Sequence, residues 1–230
     1  MPDALESRVV LVTGGSSGLG AAVVERVSSL GATAVVLDRK PPDQGEFELV
    51  DLTDSAATEQ AVRQVAKRMG RIDAVVTCAG IDVPGALADV PTEAWERIVA
   101  VNLFGTASTI RAALPWLEQA RGRVVTVAST LGHRAVSDAT AYCASKFGVV
   151  GFTRALTAEL KGRVGVTLLT PGGMWTSFFD ERDEQYKPGP DAQLCDPGEI
   201  ADAVVFALTR PAGAEVKELV IAGPTETSWP

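Results

Sequence analysis

The chain has 230 residues, 46% of them hydrophobic, and a net charge of −8. This is enough apolar material for one substantial core, while the acidic balance argues against nucleic acid or an anionic membrane as partner. Three cysteines without CxxC spacing and a single histidine argue against a disulfide framework, a zinc or other metal site and most serine-hydrolase arrangements. The N-terminal MPDALESR has no apolar core of a signal peptide, and no apolar run reaches the ~20 residues of a membrane span, so the expectation is a soluble, cytoplasmic protein.

In chain order, the first apolar run is RVVLVT (8–13). The glycine-rich VTGGSSGLG (12–20) follows and opens a helix in which Leu19, Val23, Val27 and Leu30 keep one face, with Gly31 as its stop. The runs ATAVVLD (32–38) and FELVDL (47–52) come next, then Asp54 as N-cap of a helix over SAATEQAVRQVAKRMG. After DAVVTCAG (73–80), the segment 92–120 is one long helical pattern interrupted at Asn102 and Gly105. GRVVTVAS (122–129) precedes a second long helix over 140–162. VGVTLLTPG (164–172), a helix over 197–209 and ELVIAG (218–223) complete the series.

Most of the apolar runs are continuous Val, Leu and Ile, as expected for strands buried on both faces of a parallel sheet. Their alternation with helices predicts one α/β domain over 1–230, a doubly wound sheet with helices on both faces. The only extended irregular segment expected is 173–196, either a lid over a pocket or an ordered surface loop.

Gly14, Gly18 and Gly20 leave backbone amides uncovered where a strand hands over to a helix N-terminus, an arrangement suited to an anionic group. Asp38 ends the second run near the interval of about 20 residues at which a carboxylate meets an adenosine ribose. A carboxylate there accepts from both ribose hydroxyls and repels a 2′-phosphate, favouring NAD over NADP, although the adjacent Arg39 is able to reach a phosphate. In AYCASK (141–146), Tyr142 and Lys146 share a helix face, and Ser129 ends the preceding strand, so all three can gather at the carboxyl end of the sheet. A phenol beside an ammonium and an oxidised nicotinamide is favoured as phenolate and becomes an acid/base at neutral pH.

With these motifs the sequence resembles the short-chain dehydrogenase/reductases over nearly its whole length. The resemblance rests on TGGSSGLG, Asp51-Leu52, Cys78-Ala79-Gly80, Asn102, Ser129, Tyr142 to Lys146, and Pro171-Gly172 with Thr176. It implies a Rossmann-type, seven-stranded, mostly parallel sheet. It also implies an oxidoreductase moving hydride between NAD(H) and a secondary alcohol or ketone, with Tyr142 as acid/base and Lys146 lowering its pKa. Ser129 then holds the substrate oxygen, Asn102 anchors a proton-relaying water, Asp51 meets the adenine and Thr176 the carboxamide. Gly14, Ser16, Ser17, Gly18, Leu19, Gly20, Asp38, Arg39, Leu52, Ala79, Gly80, Pro171 and Gly172 complete the expected cofactor contacts. A homotetramer or homodimer through the two long helices is implied as well.

Two departures stand out: Cys78 where an asparagine is usual, and a C-terminus, ELVIAGPTETSWP, without the common Asp-Gly-Gly ending. The alternatives are an NADPH-preferring carbonyl reductase and a catalytically silent nucleotide-sensing protein. Met174, Trp175, Phe178 and Phe179 are read either as an apolar substrate wall or as a packed lid edge or subunit contact. His133 is expected to be an exposed loop residue and Cys143 a packing residue.

Overall fold

In the computed structural model, which describes residues 5–211 and 213–229, the apolar runs become seven strands. They are β1 (Val9–Thr13), β2 (Thr33–Asp38), β3 (Glu46–Leu49), β4 (Ala74–Thr77), β5 (Arg123–Val127), β6 (Gly165–Pro171) and β7 (Glu218–Ile221). The helices are α1 (Gly18–Ser29), α2 (Ser55–Met69), α3 (Thr92–Val99), α4 (Thr106–Ala120), α5 (Thr140–Glu159) and α6 (Pro197–Leu208). Residues 1–4, where the reading of the N-terminus begins, lie outside the described residues.

The strands pair in the order β3-β2-β1-β4-β5-β6-β7, every pair parallel. The chain reverses its direction of growth between β1 and β4, which makes a crevice at their carboxyl ends. The continuous apolar runs follow from this layering. Along β1, Val9 and Leu11 pack on one face with Val62 and Val65 of α2 and Leu117 of α4. Val10 and Val12 pack on the other with Val23 and Val27 of α1 and Ile200 and Val204 of α6. A strand covered on both sides needs apolar side chains at every position, not at alternate ones.

The helix signals behave as their chemistry requires. Asp54 accepts from the Ala57 amide at 2.9 Å, capping α2. Gly31 takes φ +86° just beyond α1, a conformation costly to a side chain.

The 92–120 pattern is not one regular helix. Between α3 and α4 the residues Ala100–Gly105 form a π-helical segment, where a wider turn brings the buried Asn102 inward. By length and composition 92–120 would also suit a membrane span, contrary to the expectation that no such run exists. Its side chains Ile98, Val101, Ile110, Ala113 and Leu117 are instead buried within the fold, while Phe104 is exposed.

Segment 173–196 contains two short 3-10 turns, Ser177–Phe179 and Glu184–Tyr186. Its stems are joined by Cys195 N to Gly173 O at 2.9 Å and Trp175 N to Cys195 O at 3.0 Å. A second long irregular stretch, 78–91, was hidden in the sequence because DAVVTCAG reads as strand to Gly80, whereas β4 ends at Thr77.

The unusual C-terminus has a local job. Glu226 accepts from the Gly173 amide at 3.1 Å, Ser228 bonds Thr130 at 2.6 Å, and Thr227 O accepts from Arg134 at 2.7 Å. His133 meets the Trp229 ring edge-on at 5.3 Å and bonds Thr170 at 3.2 Å, so it is half-buried, not the exposed loop residue expected. The tail thus straps the start of segment 173–196 to the end of β5.

Candidate active site

The carboxyl ends of β1, β2, β4 and β5 supply the expected residues. In the first turn Gly14 has φ +69°, and a Cβ there would lie 2.7 Å from Ala79 Cα; one on Gly20 would lie 2.1 Å from Gly14 O. No side chain caps α1 at Ser17, so the amides of its first turn, Gly18, Leu19 and Gly20, are left for another acceptor. Gly18 faces Thr176, whose carbons would lie 3.4–3.5 Å from a Cβ on that glycine.

Asp38 accepts from Ser16 N at 3.1 Å, Arg39 N at 2.6 Å and Lys40 N at 3.3 Å. Three backbone donors fix its carboxylate and leave acceptor capacity for one further hydroxyl. Arg39 is exposed and only 3.8 Å from Asp51, a pairing worth little in water. Asp51 itself is engaged by Thr53 and Arg97. Leu52 is buried beneath Gly105, and Gly172 N bonds Ile221 O at the end of β6, after Pro171.

Tyr142 and Lys146 lie one turn apart on α5, with the Lys146 Nζ 5.6 Å from the phenol ring centre. Lys146 is 4% exposed and donates to Val127 O at 3.0 Å, which pins it to the end of β5. Ser129 caps the short turn after β5 by accepting from Leu131 N, and its hydroxyl favours the Tyr142 phenolate. Asn102 makes three hydrogen bonds: its Oδ1 accepts from Ile81 N at 2.8 Å, and its Nδ2 donates to Ile81 O and to Ser145 Oγ, each at 3.0 Å, which leaves Oδ1 one acceptor position. Lys146 Nζ and Asn102 Oδ1 meet across Gly80, where a Cβ would lie 3.5 and 3.8 Å from them. Ser145 was not singled out in the sequence. Its hydroxyl donates to Tyr142 O at 2.7 Å and so ties Asn102 to the Tyr142 turn.

Burial dominates the titrations. Desolvation pushes the Tyr142 phenol up to about 12, against the pull of Ser129. Desolvation likewise brings Lys146 down to about 8, with Cys78 opposing it. Within the chain alone, desolvation of Tyr142 outweighs the pull of Ser129; the expected acidification calls on an oxidised nicotinamide as well as Lys146. A second positive charge is required, since every tenfold gain in acidity needs about 1.4 kcal/mol.

A further pair faces the site. Arg182, from segment 173–196, donates to Asp82, from 78–91, at 2.8 Å, and both side chains are nearly enclosed. The Arg182 guanidinium lies over the rings of Phe178 and Phe179 at 4.6 and 4.7 Å, and Phe178 contacts Tyr142 at 5.8 Å between centres. Tyr186 reaches Asp138 at 3.2 Å, a second tie from the same segment to the body. Of the four apolar residues weighed as a substrate wall, Phe178 and Phe179 are at the site, Trp175 points to solvent and Met174 joins the core. Cys143 is buried packing, as expected. Asp82 and Arg182 gave no sequence signal: one lies just beyond DAVVTCAG (73–80) in a stretch assigned to no element, the other in the polar part of the irregular segment 173–196.

Residues 8–187 match the model of the short chain dehydrogenase family. The chain belongs to that family. Short-chain dehydrogenases use a nicotinamide nucleotide, and the residues present fit one: a glycine turn without room for side chains, an uncapped helix terminus and a fixed carboxylate beyond it. The dehydrogenase is 32% identical to an uncharacterized oxidoreductase of Staphylococcus saprophyticus, over 94% of this chain and 97% of the relative. It is 30% identical to the L-fucose dehydrogenase of Mus musculus, over 96% and 89%. The ligand-free aldohexose dehydrogenase of Thermoplasma acidophilum superposes with a TM-score of 0.86 at 25% identity, covering 97% of this chain and 95% of that one.

Lys146 gives a stability test. Folded, it loses its proton near pH 8 instead of 10.5, so between those values the folded chain binds fewer protons than the unfolded one. Its contribution to stability therefore rises with pH across that window. Urea midpoints taken at the two ends of the window should climb more in the wild type than in Lys146→Met; equal changes would show that the ammonium is not desolvated.

Proposed function

We propose that this dehydrogenase oxidises a secondary alcohol, or an aldose in its cyclic form, with NAD as the oxidant, and reduces the matching carbonyl in reverse. The observation that carries the reading is the convergence of Ser129, Tyr142 and Lys146 at the carboxyl ends of the sheet, beside a glycine turn able to take a dinucleotide. The L-fucose and aldohexose dehydrogenases among its relatives favour a hydroxyl-bearing cyclic substrate.

When bound, the oxidised nicotinamide accepts the hydride and brings a positive charge. The remaining work falls to the chain. Ser129 orients the substrate oxygen and stabilises charge as it develops there. Tyr142 takes the hydroxyl proton in oxidation and returns it in reduction. Lys146, held by Val127 O, keeps two donors for a ribose and for proton exchange. Asn102 acts as a positioning residue, fixing the backbone of Ile81 and the Ser145 turn. Closure of segment 173–196 over Tyr142 excludes water, the role of a lid.

Asp38 supports NAD over NADP, because a 2′-phosphate would meet a carboxylate held in place by three amides. Assembly as a homodimer or homotetramer is supported by Phe104 and Phe147, exposed on the π segment and on α5.

Three measurements test this reading. Tyr142→Phe should keep nucleotide affinity and lose at least about a hundredfold in turnover, the scale of one lost acid/base; retained turnover would assign the proton to another group. In fluorescence titration NADH should bind more tightly than NADPH, with tenfold tighter NADPH reversing the cofactor assignment. Sedimentation should give a multiple of the chain mass that falls in a Phe104→Asp, Phe147→Asp double variant. A wild-type monomer would remove the assembly.

A further inference from the structure

The Asp82–Arg182 pair is unfinished. Arg182 donates to Asp82 through Nη2 alone, although Nη2 and Nε share one edge of a guanidinium and can grip a carboxylate together. Arg182 Nε and Asp82 Oδ1 are buried with no partner. Leaving such groups unpaired is costly, and more so when they are charged. The aromatic rings take the guanidinium's faces, so further polar contact is possible only along its edge. Phe178, which lies under the Arg182 guanidinium at 4.6 Å, meets the Tyr142 ring at 5.8 Å between centres, which sets the pair beside the proposed reacting centre and not at a remote surface.

We propose that Asp82 and Arg182 form a subsite for a second hydroxyl, on the carbon next to the one that reacts, so that the substrate is a vicinal diol or its hydroxy-ketone. This rests on the reading of Tyr142 as the acid/base. A hydroxyl is the group that satisfies both orphans at once: its oxygen accepts from Nε and its proton goes to Oδ1. An anion would gain Arg182 but confront Asp82 Oδ1, and a cation would meet the reverse conflict. The hydroxyl is bound without being transformed. Because Arg182 belongs to segment 173–196 and Asp82 to the body, a bound diol also bridges the two and holds that segment down. The subsite sets one polar reader beside the aromatic wall of Phe178 and Phe179.

The test is calorimetry with vicinal cyclohexanediol and with cyclohexanol, on the NAD-loaded Tyr142→Phe variant, where no turnover intrudes. The diol should bind at least about tenfold more tightly, the scale of one hydrogen bond to charged partners. Adding Asp82→Leu with Arg182→Met leaves no unpaired buried charge, and should abolish the preference, the diol losing at least about tenfold more affinity than cyclohexanol. Absence of a diol preference, or equal weakening of both alcohols in the triple variant, overturns the subsite. Wild-type kinetics separate it from the parent reading. Preferential diol binding without hydride transfer supports the subsite and removes the dehydrogenase assignment to such alcohols. Oxidation of both alcohols at equal kcat/KM does the opposite.

Discussion

The Lys146 ammonium lies almost out of water beneath the Gly80 backbone, with the Val127 carbonyl as its protein acceptor, and the arrangement around Tyr142 follows from keeping it there. A charge so placed is costly, which is why its pKa falls to about 8. The same desolvation raises the phenol to about 12. The two groups are poised in opposite directions, so the site as folded resists proton loss from Tyr142 until a further cation arrives. In the proposed reaction this couples proton transfer at Tyr142 to nucleotide binding.

Support for this pair comes from elements distant in sequence. The π segment turns Asn102 inward, where its amide closes on both backbone groups of Ile81 and on Ser145. One side chain thereby joins the loop after β4, the interruption between α3 and α4, and the first turn of α5. The Ile81 amide and carbonyl are partly buried and gain their partner from it, while the Ser145 hydroxyl also donates to Tyr142 O. Cys78, standing where an asparagine is usual, adds no such bond. Burial lifts its thiol to about 12, which leaves it an inert spacer beside Lys146.

Segment 173–196, the proposed lid, is fastened from three sides. Arg182 ties it to Asp82, Tyr186 to Asp138, and the C-terminal Glu226 holds its first residue, Gly173. The tail substitutes intramolecular hydrogen bonds for the usual family ending, and His133 and Trp229 pack at its root. Partial satisfaction of the Asp82–Arg182 tie distinguishes it from the others and makes it the place where a polar ligand has most to gain.

Much of the fold was legible because its causes are local or periodic. Unbroken Val/Leu/Ile runs mark strands covered on both faces, Asp54 caps a helix, and glycines mark turns that leave no space for a Cβ. The Ser129, Tyr142 and Lys146 set was legible because helix spacing and strand ends are fixed by backbone geometry. The end of β4, the π turn at Asn102, the partnership of Ser145, the burial of His133 and the Asp82–Arg182 pair were not. Each depends on which groups meet across gaps of many residues, and on how much water is removed when they do. The sequence by itself determined the layered sheet, the dinucleotide crevice and the residues proposed to move the proton; only the tertiary structure decided the desolvation of that site and the pairing of Asp82 with Arg182, because desolvation and long-range pairing exist only once the chain has closed on itself.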